Sequence, residues 1–172
     1  MATRSAALAV LVLAGVGVLV APSLAQRTAT APCSEPPTAT TASYTMAASI
    51  GRQEEMYLPS EVKARHIKEG EIMLGGDMSM VQKTPRTKVF HLEVHICNRN
   101  GAVVKGLKPR IVVNAAGQMA TMTVPAAIMV GIGEPMTDYH YGNDVVLEPG
   151  SKLTVKATVK GQTAVFHLVA PK

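Results

Sequence analysis

Residues 89–98 read VFHLEVHICN, the most regular strand pattern in the chain. Apolar side chains occupy every second position, as in a β-strand whose successive residues point to opposite faces of a sheet. The positions between them carry two imidazoles, a carboxylate and a thiol: His91, Glu93, His95 and Cys97. These are the side chains that bind transition metals. The stretch therefore predicts a strand with one core face and one face rich in metal-binding groups.

The same alternation recurs in short segments along the rest of the chain. Turn signals separate the segments, notably Asn100-Gly101 and Lys160-Gly161-Gln162. The predicted strands cover EIMLGG, KVFHLEVHIC, RIVVN, QMATMTV, NDVVL, KLTVKATV and TAVFHLVA. Close spacing, period-2 patterning and the lack of a convincing helical pattern predict an all-β domain, built as a two-sheet antiparallel sandwich. Its core is expected to be aliphatic and rich in methionine, because aromatic residues are scarce.

Residues 1–25 have the layout of a secretory signal peptide. Arg4 supplies the positive charge, Ala6 to Val20 is an uninterrupted apolar run, and Ser23-Leu24-Ala25 forms a cleavage motif. A retained membrane anchor is the alternative, since the apolar run is nearly long enough to span a bilayer. The helix-breaking Pro22 and the cleavage motif favour cleavage after Ala25.

The remaining chain divides into three segments. Residues 26–43 are rich in Thr, Ala and Pro and predict a disordered linker. Residues 44–63 form an extension with mixed helix and strand signals, and residues 64–172 form a single sandwich domain. No second long apolar run follows, so we expect an exported product with no integral membrane segment after cleavage. Its location would be the periplasm, the cell envelope or the medium.

The chain has two cysteines, Cys33 and Cys97. In an oxidising compartment they could form a disulfide. The sequence does not fix the distance between them, so a disulfide and two free thiols are equally open alternatives.

Composition argues against two functional classes. The formal net charge of +5 is spread along the chain, and falls to +4 when Arg4 is removed with the signal peptide. With two Phe, four Tyr and no Trp there is little to stack on bases, so no nucleic-acid partner is expected. The sequence also lacks a G-x-S-x-G motif, a phosphate-binding loop and a recognisable acid/base pair. We therefore expect no catalytic residues and no enzyme.

Distance limits how much of a metal site one strand can supply. Neighbouring side chains on one strand face are roughly 6.5–7 Å apart at their bases, so His91 and Cys97 are roughly 20 Å apart and cannot share an ion. His91 with Glu93, or Glu93 with His95, can lean onto one ion at about 2.0–2.2 Å from each donor atom. The remaining ligands must come from elsewhere in the chain.

Methionines are further candidates. Thioethers are soft ligands that favour copper, so a His/Glu/Met/His set suits copper, with iron or zinc as alternatives. The polar, Gly-rich run MLGGDMSM carries Met73, Met78 and Met80 and could be a metal-gathering loop or could fill space. We expect Met119 and Met122 to fill the core.

Two segments, FHLEVHI and IMVGIGEPMTDYHYGNDVVLEPGSKLTVKATV, resemble the periplasmic iron-transport accessory family, a group of copper- and iron-binding secreted proteins. That family has an H-L-E strand near the start of the domain, and later a methionine, a short loop and an H-Y-G-x-N/D step into the next strand. The resemblance spans roughly residues 64–170. It implies an immunoglobulin-like sandwich, a homodimer and a membrane metal permease as partner.

The resemblance also implies a ligand set. His91 and Glu93 match the family's first two metal ligands, Met129 its methionine and His140 the next histidine. The loop between Met129 and His140 is longer than in the family pattern, which makes Met136 a reserve ligand. A late-loop histidine of the family has no equivalent here, since His167 lies in a predicted strand. His95 is the reserve for that position.

Two other functions compete with metal uptake or homeostasis. In the first, the chain is a structural or adhesive surface sandwich without metal, whose His-rich face is an interaction patch. In the second, it is a copper-delivery or redox protein that uses the free thiol of Cys97.

Overall fold

A computed structural model describes residues 32–35, 37–79, 81–117, 121–134 and 136–172. They form eleven β-strands, one short α-helix and one 3-10 turn (Met136–Asp138). In chain order the elements are β1 (Thr38–Thr40), β2 (Tyr44–Arg52), β3 (Met56–Tyr57), α1 (Pro59–Arg65), β4 (Glu71–Gly75), β5 (Lys88–Asn98), β6 (Arg110–Ala115), β7 (Met122–Val124), β8 (Ala127–Gly131), β9 (His140–Leu147), β10 (Lys152–Val159) and β11 (Gln162–Val169).

The strands form two sheets. The larger has the order β1-β2-β5-β9-β8-β4-β3, and the smaller has the order β11-β10-β6-β7. Neighbouring strands are antiparallel, except for the parallel pair β3 and β4. The predicted all-β sandwich is confirmed. The immunoglobulin-like strand arrangement implied by the family resemblance stays a prediction.

Strand β5 lies inside the larger sheet and is buried on both of its faces. Its apolar residues join a hydrophobic cluster that draws on both sheets: Phe90, Leu92, Val94 and Ile96. His91 and Cys97, on the opposite face, are fully buried as well. Burying an imidazole is costly unless its nitrogens find partners, so the groups around His91 decide what this face does.

The hairpin between β10 and β11 turns on Lys160 and Gly161. Both residues have positive φ, at 45° and 76°. Positive φ at both central positions is the type I′ geometry, whose twist matches that of the flanking strands. The strands pair without interruption from Val159↔Gln162 to Lys152↔Val169, which confirms the predicted hairpin.

Part of the segment predicted to be a disordered linker is ordered. Strand β1 pairs with β2 at the edge of the larger sheet, and Cys33 forms a disulfide with Cys97 of β5. Composition does not reveal such a cross-link, which offsets the entropic cost of ordering a segment with little apolar surface. The predicted extension, residues 44–63, contains β2, β3 and most of α1. The predicted signal peptide and residues 26–31 lie outside the described residues.

The disulfide fits an oxidising, exported environment. Within the described ranges, no helix combines the length and the apolar character needed to cross a membrane.

Replacing Cys33 and Cys97 together by serine is expected to lower the free energy of unfolding by roughly 2–4 kcal/mol, because the bridge restricts the unfolded chain across a long loop. The two cysteines are 64 positions apart. Urea denaturation of the double variant measures the loss. The reduced wild-type protein should unfold at the same urea concentration as the variant. A midpoint equal to that of the oxidised protein would contradict the prediction.

Candidate metal centre

Strand pairing gathers donor side chains on one face of the larger sheet. Asp144 of β9 lies directly opposite His91 of β5. At the start of β9, His140 lies directly opposite Met129 of β8. Directly opposed residues point to the same face of a sheet. Three strands therefore converge on one point, although His91 and His140 are 49 positions apart in the chain.

His91 and His140 point their Nε2 atoms at each other across 3.5 Å. Nδ1 of His91 lies 3.2 Å from Oδ1 of Asp144, and Nδ1 of His140 lies 2.7 Å from the backbone carbonyl oxygen of Asp138. A carboxylate and a carbonyl only accept hydrogen bonds, so both Nδ1 atoms carry and donate the proton. In the neutral form of both imidazoles, each Nε2 then presents a lone pair toward the other. Partners of this kind orient metal-binding histidines in proteins.

Glu71 of β4 brings a carboxylate to the same point. Its Oε2 lies 3.8 Å from Nε2 of His140, and among the described residues no group hydrogen-bonds to that oxygen. The residue is only 4% exposed. Burial, followed by the charges of Asp138, Glu54 and Glu93 and a side-chain hydrogen bond with Glu54, raises the pKa of Glu71 to about 9. A buried oxygen without a donor is costly, and a cation at this point would stabilise it.

These distances suit a metal ion. The ligand atoms of Glu71, His91 and His140 all lie within 4.8 Å of one another, and all three residues are buried. Two donors bound at about 2.1 Å to a tetrahedral ion are about 3.4 Å apart. The two Nε2 atoms of His91 and His140 lie 3.5 Å apart. The three residues could therefore hold a metal ion, and their arrangement does not indicate which metal.

A second donor group includes His140 as well. The ligand atoms of Glu93, His95 and His140 lie within 4.8 Å of one another. Nε2 of His95 is 3.4 Å from Oε2 of Glu93, which also accepts a hydrogen bond from the Ser49 hydroxyl at 3.1 Å. Burial raises the pKa of Glu93, but the hydrogen bond from His95 and the charges of His140, His91 and His95 outweigh it and bring the pKa to about 2. Glu93 is thus an anion at neutral pH.

His140 connects the two groups. Burial lowers its pKa, against the opposing effects of the Glu93 charge and the hydrogen bond to the Asp138 backbone. The neutral imidazole is the form that binds metals. Because Nδ1 is held by the carbonyl of Asp138, only Nε2 is available, and one nitrogen binds one ion at a time. The two donor groups are therefore alternative ways of completing a single centre around His140.

The four histidine and glutamate candidates from the sequence lie together. His91 and His140 face each other, and Glu93 and His95 form the second group with His140. The sequence pattern does not mark Glu71 as a ligand. Its position depends on the pairing of β4 with β8, where it lies opposite Gly131. The local signal is weak, because Glu71 stands at the start of a short strand pattern and resembles an ordinary polar residue.

The methionine candidates differ in placement. Met129 is fully buried, lies opposite His140 and is not among the residues of the cluster between the sheets. It therefore lies on the face of the donor groups. Met73 lies opposite Met129 on β4. The reserve ligand Met136 is 48% exposed in the 3-10 turn.

The Gly-rich methionine run is held by Asn143 of β9. Its side-chain amide donates to the backbone carbonyl of Asp77, and its Oδ1 accepts from the backbone N–H of Ser79. Met78, between them, is 49% exposed. Met122 is partly buried against the core, which agrees with the role expected for it. Met80 and Met119 lie outside the described residues.

Replacing Gly142 by alanine is expected to destabilise the fold by about 2 kcal/mol or more, because a side chain there has no space. A Cβ at Gly142 would lie 1.8 Å from the carbonyl oxygen of Leu92 in β5, the strand that carries His91 and Glu93. Thermal unfolding measures the effect. Gly51, whose Cβ would have no neighbour within 4 Å, provides the matched control Gly51→Ala. Equal stability of the two variants would contradict the prediction.

Comparison of the chain with protein-family models, with curated proteins and with solved structures gives no match in any of the three. Function is therefore inferred from the site itself. The adhesive alternative needs an exposed His-rich face, whereas His91 and His140 are fully buried. The redox alternative needs a free thiol at Cys97, which the disulfide to Cys33 removes.

Proposed function

We propose that this chain is an exported metal-binding protein that holds one transition-metal ion at the centre formed by His91, His140 and Glu71. One observation carries the proposal: the Nε2 atoms of two histidines and a carboxyl oxygen without a hydrogen-bond partner converge in a buried position. Two imidazole nitrogens that face each other beside a buried carboxyl oxygen without a partner are unfavourable for the protein alone, and they form the arrangement that a cation requires. The proposed activity is binding and not turnover.

Copper is the metal that we favour. Imidazole binds copper, zinc and iron, and the thioether of Met129 on the same face shifts the preference toward copper. Iron and zinc are the alternatives, because Glu71 and Glu93 are harder ligands. A role in copper or iron homeostasis outside the membrane follows from this chemistry together with the resemblance of FHLEVHI and HYGND to the iron-transport accessory family.

Titration of the metal-free protein with Cu²⁺ against a competing chelator tests the proposal. We expect one ion per chain and a Kd below about 1 μM, since a preformed buried site readily exceeds that affinity. His91→Ala should weaken binding by at least about tenfold, and His167→Ala, on the exposed face of β11, should not. A Kd for Cu²⁺ above about 1 μM, or a Kd that His91→Ala leaves unchanged, would overturn the proposal. The same titration with Fe²⁺ and Zn²⁺ ranks the metals.

We also propose a membrane metal permease and a second copy of the chain as partners. Both proposals rest on the family resemblance alone. Sedimentation velocity over a range of concentrations tests self-association, and a monomer at every concentration would count against the homodimer.

A further inference from the structure

A cavity of about 370 Å³ lies beside the metal centre. Glu71 and Glu93, one carboxylate from each donor group, form part of its wall. Glu69 and Glu134, which also line the cavity, are exposed to solvent. The cavity therefore extends from the protein surface to the carboxylates of the site.

The lining of this cavity is strongly acidic. Six acidic side chains line it, and even with Glu71 protonated the other five outnumber the single ammonium group of Lys68. The chain as a whole has a formal net charge of +5, so the acidity of the cavity is local and opposite in sign to that of the protein. A cleft lined by one sign of charge raises the local concentration of ions of the opposite sign and speeds their association.

A second observation distinguishes this cavity from an ordinary solvated acidic surface. Glu71 is 4% exposed, and its Oε2 has no hydrogen-bond partner among the described residues. The cavity thus ends at a buried acceptor that a cation would satisfy. Nε2 of His140 lies 3.8 Å from that oxygen, and Nε2 of His91 lies 3.5 Å from Nε2 of His140.

We infer that the acidic cavity is the route by which the metal reaches the centre, and that it selects metal presented as a hydrated or complexed cation over metal held in an anionic chelate. The inference rests on the proposed function, since it needs the centre to bind metal. The exposed carboxylates of Glu69 and Glu134 collect the cation, and Glu71 receives it at the inner end. An anionic chelate meets the same charges as repulsion.

Stopped-flow measurement of Cu²⁺ binding tests the inference. The quenching of tyrosine fluorescence can report it, because the chain contains four Tyr and no Trp. The test variant is Glu69→Gln/Glu134→Gln, which neutralises two charges of the cavity and leaves the proposed ligands in place. The control is Glu35→Gln/Glu148→Gln, which makes the same change in net charge at exposed positions outside the lining.

At about 10 mM ionic strength, where screening extends over roughly 30 Å, we expect the association rate constant of the test variant to fall by on the order of tenfold. The control should keep the wild-type rate, and the dissociation rate should stay unchanged in both. The wild-type rate should fall more steeply with added salt than that of the test variant. Loading from Cu²⁺-citrate, an anionic chelate, should be slower than from the free ion, with a smaller difference in the test variant.

Equal association rates and equal salt dependence in the wild type and the test variant would overturn the inference. If His91-dependent binding persists in that case, the proposed function survives and only the route is wrong. If the wild-type protein does not bind Cu²⁺, Fe²⁺ or Zn²⁺ at equilibrium, the proposed function fails and the inference fails with it.

Discussion

Substituting His140 by alanine is expected to lower the affinity for Cu²⁺ by at least about 1000-fold, or about 4 kcal/mol. His140 is the only residue shared by the two donor groups of the described chain, so its loss removes a ligand from both. His91→Ala leaves the group of Glu93, His95 and His140 complete and should cost less. Competition titration of both variants checks this order. Equal losses for the two would show that the groups do not share His140 in the way the geometry indicates.

The fold of the His140 variant needs its own control. His140 is fully buried, and truncating a buried side chain leaves a cavity that destabilises the protein in its own right. His140→Gln keeps most of the volume and removes the imidazole lone pair. We expect a native circular dichroism spectrum for His140→Gln and the same large loss of affinity. An affinity near that of the wild type in a folded His140→Gln variant would exclude His140 as a ligand.

The strands could be predicted from the sequence because each strand signal depends on residues that are close together in the chain. Alternation in VFHLEVHICN and the Lys160-Gly161 turn depend on neighbouring residues, and both appear in the structure as β5 and the β10–β11 hairpin. The ordered conformation of residues 37–43, within the predicted disordered linker, could not be predicted in this way. Strand β1 pairs with β2, and the cross-link of Cys33 to Cys97 ties down the chain just before it; composition does not encode that contact between distant positions.

The site residues also divide into those that local patterns reveal and one that depends on a long-range contact. His91 and His140 stand in recognisable strands, and the structure brings their rings together. Glu71 was not predicted as a ligand, because its burial results from the pairing of β4 with β8, a long-range contact. The acidic residue near the start of a strand pattern gives no sign of such burial. The approach of the His91 and His140 nitrogens to the unpartnered oxygen of Glu71 can be seen only in the assembled sheet.

Replacing Glu71 by glutamine is expected to stabilise the metal-free protein at alkaline pH. Burial, followed by the charges of Asp138, Glu54 and Glu93, raises the pKa of Glu71 from its ordinary value of 4.5 to about 9. The folded state therefore holds this proton more tightly than the unfolded state. The contribution of Glu71 to stability is fully present below about pH 4.5 and is lost as the pH rises through about 9. Glutamine resembles the protonated carboxyl and removes this loss.

Thermal unfolding of metal-free protein across pH 5–9 measures the effect. The Tm of Glu71→Gln should exceed that of the wild type at pH 8.5 and approach it at pH 5. Glu148→Gln, in an exposed turn, should follow the wild type throughout. A wild-type advantage at pH 8.5 would contradict the assignment of Glu71 as a buried and unsatisfied carboxylate.

The same substitution should have the opposite effect once metal is present. An ionised carboxylate binds a cation far better than a neutral amide does, so Glu71→Gln should weaken Cu²⁺ binding by roughly 100-fold or more. Saturating metal should then raise the Tm of the wild type well above that of the variant, because a ligand that binds only the folded state stabilises it by mass action. A side chain kept only for stability would not reverse its effect in this way. The reversal therefore separates a carboxylate retained for metal binding from one that merely fills space in the sheet.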